Sequence, residues 1–178
     1  MVIWITGLSG AGKTTLCTTL YNQLKPLIPE LVVLDGDVIR SASGNDLTHS
    51  ELDRIRQVHR LRNLAMTLAE QKLVVLVGVL YANPDLLAWN RNNLPGYVEV
   101  YLDASLETAM TRDNKGIYAA AQSGEVKNVV GLDIPWHVPR NPDIRINIDT
   151  GESPDVYADQ VIRTIPRFEV AMRSDISA

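Results

Sequence analysis

The run Gly7-Leu8-Ser9-Gly10-Ala11-Gly12-Lys13-Thr14 matches the phosphate-binding pattern G-x-x-x-x-G-K-[ST], and the architecture follows from it. An apolar segment, residues 2–6, precedes the run and predicts a buried strand. Residues 13–25 predict a helix, which Pro26 ends. Because the pattern lies between a strand and a helix, we interpret it as a phosphate-binding loop rather than as a structural glycine-rich turn.

This loop predicts a binding site for ATP and Mg²⁺. Glycines let the backbone curl so that successive N–H groups point at phosphate oxygens, and the following helix adds its positive N-terminal end. Lys13 is expected to reach the β- and γ-phosphates, and the Thr14 hydroxyl is expected to ligate Mg²⁺. We expect residues 7–15, including Thr15, to contact the donor nucleotide.

The rest of the chain alternates apolar runs with helical stretches. Further strands are predicted at residues 31–34, 73–79, 97–102 and 144–148, and helices at residues 50–71, 105–112 and 154–170. Continuous apolar strands separated by helices imply a parallel sheet covered on both faces. The predicted fold is therefore a three-layer α/β/α P-loop NTPase with a five-stranded parallel sheet. We expect residues 1–178 to form a single P-loop kinase domain, with a frayed tail after Arg173.

Residues 112–141, here called the lid, interrupt this alternation. They contain several glycines, prolines and charged clusters, with a small helix predicted near residues 118–122. Arg112, Lys115 and Lys127 would allow the segment to fold over bound phosphates and exclude water. We therefore expect a mobile lid, and a solvated loop with scattered charges is the alternative.

Composition narrows the classes of partner. The formal net charge of −4 argues against a nucleic-acid binder, which usually carries a basic surplus. Cys17 is the single cysteine, which excludes an internal disulfide and is expected of a cytoplasmic protein. The apolar residues 2–5 are too few to span a membrane. We expect a small-molecule nucleotide acceptor as partner, no nucleic acid and no membrane, and we allow for a homodimer.

A second group of functional residues, Asp35-Gly36-Asp37 and Arg40, follows the second predicted strand. Ligands of open parallel sheets sit at the carboxyl ends of the strands, so this turn should face the phosphate loop. Two carboxylates suit two tasks, holding the water shell of Mg²⁺ and taking a proton from an acceptor hydroxyl. Arg40 is placed to bind an anionic group of the acceptor. The residues alone do not say which carboxylate is the base, and Asp-Gly-Asp is also an ordinary turn.

Five motifs resemble, in order and spacing, those of adenylylsulfate (APS) kinases over nearly the whole chain: residues 7–15, Leu34-Asp35-Gly36-Asp37-x-x-Arg40, Arg112-Asp113-x-Lys115-Gly116-x-Tyr118, Gly131-x-Asp133-x-Pro135 and Asn141-Pro142. The resemblance implies a kinase that transfers the γ-phosphate of ATP to the 3′-hydroxyl of adenylylsulfate, giving 3′-phosphoadenylylsulfate for sulfate assimilation. It implies that Asp37 is the base and that Asp35 contacts the metal or its water. It also implies that Arg40 and Arg54 bind the acceptor, Lys115 reaches the phosphates and Arg112 lies beside the ATP base.

The sequence departs from this family on the acceptor side. His49 and Val129 stand where the family usually carries two Phe residues that enclose the acceptor base, and Gln57 replaces an Asn. Leu80-Tyr81-Ala82-Asn83-Pro84 lacks the Ser and the Arg of the family's Ile-Ser-Pro-Tyr-Arg. We expect the acceptor site to be lined by these substituted residues, namely His49, Gln57, Leu80, Tyr81 and Val129. The alternative acceptor is another small nucleotide, such as cytidine diphosphoramidate in capsule biosynthesis, whose smaller base would suit His49 and Val129.

Two other classes of protein fit less of the sequence. Asn114-Lys115-Gly116-Ile117 begins like the guanine-binding motif Asn-Lys-x-Asp of GTPases, but the final Asp is absent. A catalytically silent nucleotide-binding module would be expected to lack Lys13, Asp35 or Asp37, and all three are present. Hydrolysis of ATP alone stays open, although the pair Arg40 and Arg54 favours transfer to an anionic acceptor.

Overall fold

The computed structural model describes residues 1–176, and its centre is a five-stranded sheet in the order β2-β3-β1-β4-β5. Every strand pair is parallel. The strands are β1 (Val2–Gly7), β2 (Leu31–Asp35), β3 (Val74–Val79), β4 (Tyr97–Asp103) and β5 (Ile144–Asn147). Every residue of β1 and β3 is buried, as the continuous apolar runs predict for strands covered on both faces. The predicted five-stranded parallel sheet is confirmed.

Helices cover both faces of this sheet. They are α1 (Lys13–Leu24), α2 (Gly36–Ala42), α3 (Glu51–Glu70), α4 (Pro84–Asn93), α5 (Leu106–Thr111), α6 (Ile117–Gln122), α7 (Pro154–Thr164) and α8 (Pro166–Ile176). One apolar cluster joins the sheet to α1, α7 and α8, and a second joins it to α3, α4 and part of the lid. The predicted three-layer α/β/α arrangement is therefore confirmed. None of the helices within residues 1–176 combines the length and the apolar character that crossing a bilayer requires.

Four features of the helices differ from the sequence prediction. Helices α2 and α4 were not predicted, because both are short and neither has a long apolar stripe. Local signals for α4 exist: the Asn83 side chain caps it and Pro84 occupies its first turn. The last predicted helix is divided before Pro166, whose ring nitrogen has no hydrogen to donate. Helix α8 continues past Arg173, where a frayed tail is predicted, and residues 177–178 lie outside the described part of the chain.

Candidate active site

The carboxyl ends of the strands open into one cleft of about 850 Å³, which is lined by the phosphate loop, the segments after β2 and β3, and the lid. The cleft brings together nearly all the residues that the sequence predicts for the site: Ser9, Gly10, Ala11, Gly12, Lys13, Thr14, Thr15, Asp35, Asp37, Arg40, His49, Arg54, Gln57, Leu80, Tyr81, Arg112, Lys115 and Val129. Gly7 and Leu8 are not among the lining residues, because Gly7 ends β1 and Leu8 is buried. The carbonyl groups of both nevertheless contact Lys13.

The phosphate loop has the backbone that its glycines permit. Gly10 and Gly12 have φ angles of 79° and 94°, in the left-handed region that side chains disfavour. A Cβ atom at Gly10 would lie 2.5 Å from the carbonyl oxygen of Ala109, so this position has room for glycine only. The loop is thereby pressed against α5, and its N–H groups are held in place before any phosphate binds.

Lys13 lies under this loop. Its Nζ donates hydrogen bonds to the carbonyl oxygens of Gly7 (3.0 Å) and Leu8 (2.8 Å). Burial lowers the pKa of Lys13 to about 8, partly opposed by the negative charge of Asp37 and reinforced by the positive charge of Lys115. The ammonium group is therefore close to its titration range near neutral pH, and a bound anion would hold the proton on it.

Thr14 and Asp35 provide the candidate metal site. The Thr14 hydroxyl donates to Asp35 Oδ2 at 2.7 Å, so the two predicted ligands already meet. The other carboxylate oxygen, Oδ1, accepts from the backbone N–H groups of Asp37 (2.9 Å) and Val38 (3.3 Å), which orients the side chain and caps α2. A hydroxyl and a carboxylate are hard oxygen donors, and Mg²⁺ usually takes one or two protein ligands beside phosphates and water. The pair fits Mg²⁺, and within residues 1–176 no cluster of three His, Cys, Asp or Glu offers an all-protein site.

Asp37 is paired with the lid, because Lys115 Nζ donates a hydrogen bond to Asp37 Oδ2. Burial raises the pKa of Asp37, but the hydrogen bond and charge of Lys115, with the charges of Lys13 and Arg40, outweigh it and lower the pKa below its usual value. Asp37 is thus ionised at neutral pH and is a weak base. Such a carboxylate suits orientation of an acceptor hydroxyl better than early removal of its proton.

Arg40 and Arg54 also line the cleft. Arg40 Nη1 donates to the carbonyl oxygens of Leu47 (2.9 Å) and Thr48 (3.0 Å). Arg54 donates to the carbonyl oxygens of His49 (3.0 Å) and Asn128 (2.7 Å), which links α3 to the lid. Burial and the nearby charge of Arg40 lower the pKa of Arg54. Within residues 1–176 neither guanidinium forms an ion pair, so their combined charge is available to an anionic ligand.

The remaining predicted acceptor residues differ in how far their side chains are exposed to the cleft. His49 is exposed at the mouth of the cleft, and burial with the charges of Arg54 and Arg40 lowers its pKa, so the ring is neutral at pH 7. Val129 and Tyr81 are buried, and the Tyr81 hydroxyl donates to Glu51 Oε1 at 2.6 Å. Gln57 is also buried, and its Nε2 donates to the carbonyl oxygen of Gly36 at 2.9 Å.

The lid is more firmly anchored than the sequence suggests. Its predicted small helix is α6, capped by the Asp113 carboxylate, and the buried Tyr118 donates to the carbonyl oxygen of Ser9 at 3.2 Å. Val129, Val130 and Ile134 are buried in the apolar cluster beside α3. These three side chains are apolar anchors that the glycines, prolines and charges of the lid do not indicate, whereas residues 122–128 are all exposed. Mobility of the lid stays a prediction, and its physical basis is now restricted to this exposed stretch.

One part of the cleft was missed by the sequence analysis. The segment after β5 contributes Ile148, Glu152, Pro154 and Tyr157 to the lining. Arg112 lies on this side, because its charge adds to the hydrogen bonds of Thr108 and Ser105 that lower the pKa of Asp149. The rule that ligands sit at the carboxyl ends of parallel strands applies to β5 as well and would have pointed here.

Known proteins resemble this chain over most of its length. The family model described as adenylylsulphate kinase matches residues 1–147. A protein of Pseudomonas aeruginosa described as a probable adenylyl-sulfate kinase is 38% identical over 145 residues, which are 82% of this chain and 68% of that protein. The bifunctional enzyme NodQ of Azospirillum brasilense is 33% identical over 172 residues, which are 96% of this chain and only 28% of that protein.

A solved structure shows the same likeness. The structure of the Mycobacterium tuberculosis APS kinase CysC in complex with AMPPNP and APS matches with a TM-score of 0.84 at 34% identity. The match covers 92% of this chain and 95% of that chain.

The pKa of Lys13 predicts how nucleotide affinity depends on pH. The free protein loses the Lys13 proton above about pH 8, whereas bound phosphates hold it. ATP affinity should therefore fall roughly tenfold from about pH 7 to 9, since binding then requires uptake of a proton. Calorimetric titration in buffers of different ionisation enthalpy measures both the ATP affinity and the number of protons taken up on binding. Lys13→Ala should bind weakly at every pH, and a flat wild-type affinity across this range would contradict the prediction.

Proposed function

The chain belongs to the adenylylsulfate kinase family, and from this premise we propose that it transfers the γ-phosphate of ATP to the 3′-hydroxyl of adenylylsulfate. One observation carries the proposal: a single cleft contains the phosphate loop, the Asp35-Gly36-Asp37 turn and the guanidinium groups of Arg40 and Arg54. The loop suits the donor phosphates, and the paired guanidinium groups suit tetrahedral oxyanions such as the phosphate and sulfate of the acceptor. The product is 3′-phosphoadenylylsulfate, a compound of sulfate assimilation.

The donor half would work by position and charge. Backbone N–H groups of residues 10–15 would bind the phosphates, and Lys13 would leave the carbonyl oxygens of Gly7 and Leu8 to contact the transferred group. Thr14 and Asp35 would hold Mg²⁺, which supplies charge neutralisation between the phosphates when bound. Arg112 and the segment after β5 would lie around the ATP base.

The acceptor half would bring the hydroxyl to the phosphate. Asp37 would accept a hydrogen bond from the 3′-hydroxyl and receive its proton late in the transfer, which suits the lowered pKa of this carboxyl. In the free protein Lys115 is hydrogen-bonded to Asp37. Both side chains are more than half exposed, so this ion pair is weak enough for each residue to exchange its partner. Lys115 would then reach the transferred phosphate, and Asp37 would be released to the hydroxyl.

The acceptor base would lie near His49, Val129 and Tyr81. His49 is exposed and neutral, which suits stacking on a base, and Val129 provides an apolar surface. The comparisons give no support to the cytidine diphosphoramidate alternative, which rests on these substitutions alone. A small-molecule acceptor, a cytoplasmic location and assembly as a homodimer are further parts of the proposal.

The identity of the acceptor is tested by measuring ADP release with adenylylsulfate and cytidine diphosphoramidate side by side. Adenylylsulfate should give the higher kcat/KM, and the radiolabelled γ-phosphate of ATP should appear on the 3′-oxygen of the product. A kcat/KM for adenylylsulfate that is a hundredfold below that of the cytidine compound corresponds to about 2.7 kcal/mol and would reverse the assignment.

Replacement of Asp37 by Asn separates orientation and proton transfer from nucleotide binding. The amide keeps the shape but cannot take the proton, so kcat should fall by roughly a hundredfold while KM for ATP changes little. Steady-state kinetics with both substrates varied measure this. Should Asp35→Asn produce that pattern instead, with Asp37→Asn nearly silent, the roles of the two carboxylates are reversed.

Closure of the lid is tested by hydrogen exchange. Residues 122–128 are exposed, and their amides donate to nearby groups of the lid, such as Ser123 N–H to Ala119 and Glu125 N–H to Ala120. Such local hydrogen bonds open easily, so these amides should exchange faster in the free protein than when a non-hydrolysable ATP analogue and adenylylsulfate bind together. Peptides from the buried strand β3 should be protected equally in both states and serve as the control. Equal protection of residues 122–128 with and without ligands would exclude a ligand-closed lid.

A further inference from the structure

Helix α2 carries Asp37 and Arg40, yet none of its seven residues is buried. A helix of this length is marginal by itself in water, because too few hydrogen bonds repay its nucleation. Most helices of a domain are held by an apolar face. One apolar side chain of α2, the partly buried Ile39, packs against the cluster beside α3. A single such contact leaves the orientation of Asp37 dependent on polar contacts that hold α2 against the rest of the protein as well.

Within residues 1–176 four such contacts are present, and they differ in whether the partner of α2 is exposed or buried in the core. The Asp35 cap is internal to the turn, and the pair of Asp37 with Lys115 is exposed and links α2 to the lid. Arg40 holds carbonyl groups of an exposed loop. The fourth contact alone comes from the core: Gln57, only 5% exposed, donates from Nε2 to the carbonyl oxygen of Gly36.

Gln57 is a suitable anchor because α3 is itself fixed. This 20-residue helix packs on the sheet through Val58, Leu61 and Ala65, all buried. Gly36 lies between this helix and the sheet, since a Cβ atom at Gly36 would be 3.7 Å from Leu61 of α3 and 3.2 Å from the carbonyl oxygen of Gly78 in β3. The bond from Gln57 thus joins the first residue of α2 to a rigid surface.

The orientation of the Gln57 amide is set by a second residue. Arg60 Nη1 donates to Gln57 Oε1 at 3.2 Å, which directs the nitrogen end of the amide at Gly36. Arg60 is held in turn by Asp46, with Nη1 to Oδ1 at 3.0 Å and Nη2 to Oδ2 at 2.6 Å. This bidentate contact fixes the plane of the guanidinium group. Asp46 belongs to the loop between α2 and α3, and Arg40 of α2 binds carbonyl groups of the same loop. Helix α2 is therefore connected to this network at Gly36 and again at Arg40.

We propose that Asp46, Arg60 and Gln57 form a positioning network that holds the Asp35-Gly36-Asp37 turn for phosphoryl transfer. This inference rests on the proposed function, because it assigns Asp37 to the acceptor hydroxyl. Gly36 lies between the two carboxylates, so release of its carbonyl group would let both shift relative to the phosphate loop. A displacement of about 1 Å at a reacting centre is enough to cost a large factor in rate.

A positioning role of Gln57 and direct binding of the acceptor by Gln57 predict different kinetic effects. Both ends of the amide are engaged by protein groups, Gly36 and Arg60. Loss of a direct ligand would raise KM for the acceptor. Loss of a positioning residue would lower kcat and leave KM for both substrates nearly unchanged, while α2 becomes more mobile.

Three variants on α3 test the proposal. Gln57→Glu keeps the size and the contact with Arg60 but places a carboxylate oxygen against the Gly36 carbonyl. Arg60→Met removes the orientation of Gln57 from a partly exposed position and so spares the core. Arg56→Met is the matched control, since it removes the same group from the same helix. Arg56 pairs with Asp53 and, within residues 1–176, with no other acidic side chain. Hydrogen exchange of residues 36–42 and steady-state kinetics are measured for each.

We expect Gln57→Glu and Arg60→Met to lower kcat about tenfold, with KM for ATP and adenylylsulfate changed less than about twofold. Exchange of the α2 amides should accelerate about tenfold in both, and Arg56→Met should match the wild type. Unchanged exchange in Gln57→Glu and Arg60→Met, or a raised acceptor KM at unchanged kcat, would overturn the proposal. If the wild type does not phosphorylate adenylylsulfate, the proposed function fails, and the exchange comparison still decides whether the network anchors α2.

Discussion

The hydrogen bond from the Thr14 hydroxyl to Asp35, 2.7 Å long, joins the two halves of the site. Thr14 belongs to the first turn of α1 after β1, and Asp35 ends β2, which is separated from β1 in the sheet by β3. The bond therefore spans a strand, and it can form only because all three strands are parallel and end at the same edge. Donor loop and acceptor turn are set at a fixed distance by this contact, and the register of the sheet determines that distance.

Charge in the cleft is arranged around this contact. Lys13, Lys115, Arg40 and Arg54 face Asp35 and Asp37, so cations outnumber carboxylates in a protein whose formal net charge is −4. The excess suits ligands that bring several negative charges. Each cation is held by protein oxygens: Lys13, Arg40 and Arg54 donate to backbone carbonyl groups, and Lys115 donates to Asp37. A phosphate or sulfate can replace those acceptors, so that each cation exchanges one hydrogen-bonding partner for another.

The sequence was sufficient for the sheet, the three layers and the phosphate loop, because each depends on local patterns. Apolar runs of four to seven residues identify buried strands, and the glycines of the loop fix its backbone. Helix α2 could not be predicted in this way, since it packs on the core through one apolar side chain, Ile39, which makes no stripe, and is otherwise held by Gln57 and the Asp35 cap. The anchoring of the lid was missed for a related reason. Val129 and Val130 form no periodic pattern, and only their contacts with the cluster beside α3 reveal their role.

The difference between a site built from the backbone and a site built from side chains explains where the chain departs from its family. The donor site is built from backbone N–H groups, so it requires small residues and left-handed φ angles. A side chain at Gly10 would clash with Ala109, and one at Gly12 would strain the backbone. The acceptor site is built from side chains on three separate segments, including His49, Tyr81 and Val129, and each can change alone. Arg40 and Arg54 are exceptions, because they also hold backbone carbonyl groups of the loop before α3 and of the lid. A residue that supports the structure and binds the ligand is constrained twice, which accounts for two retained arginines within an altered acceptor wall.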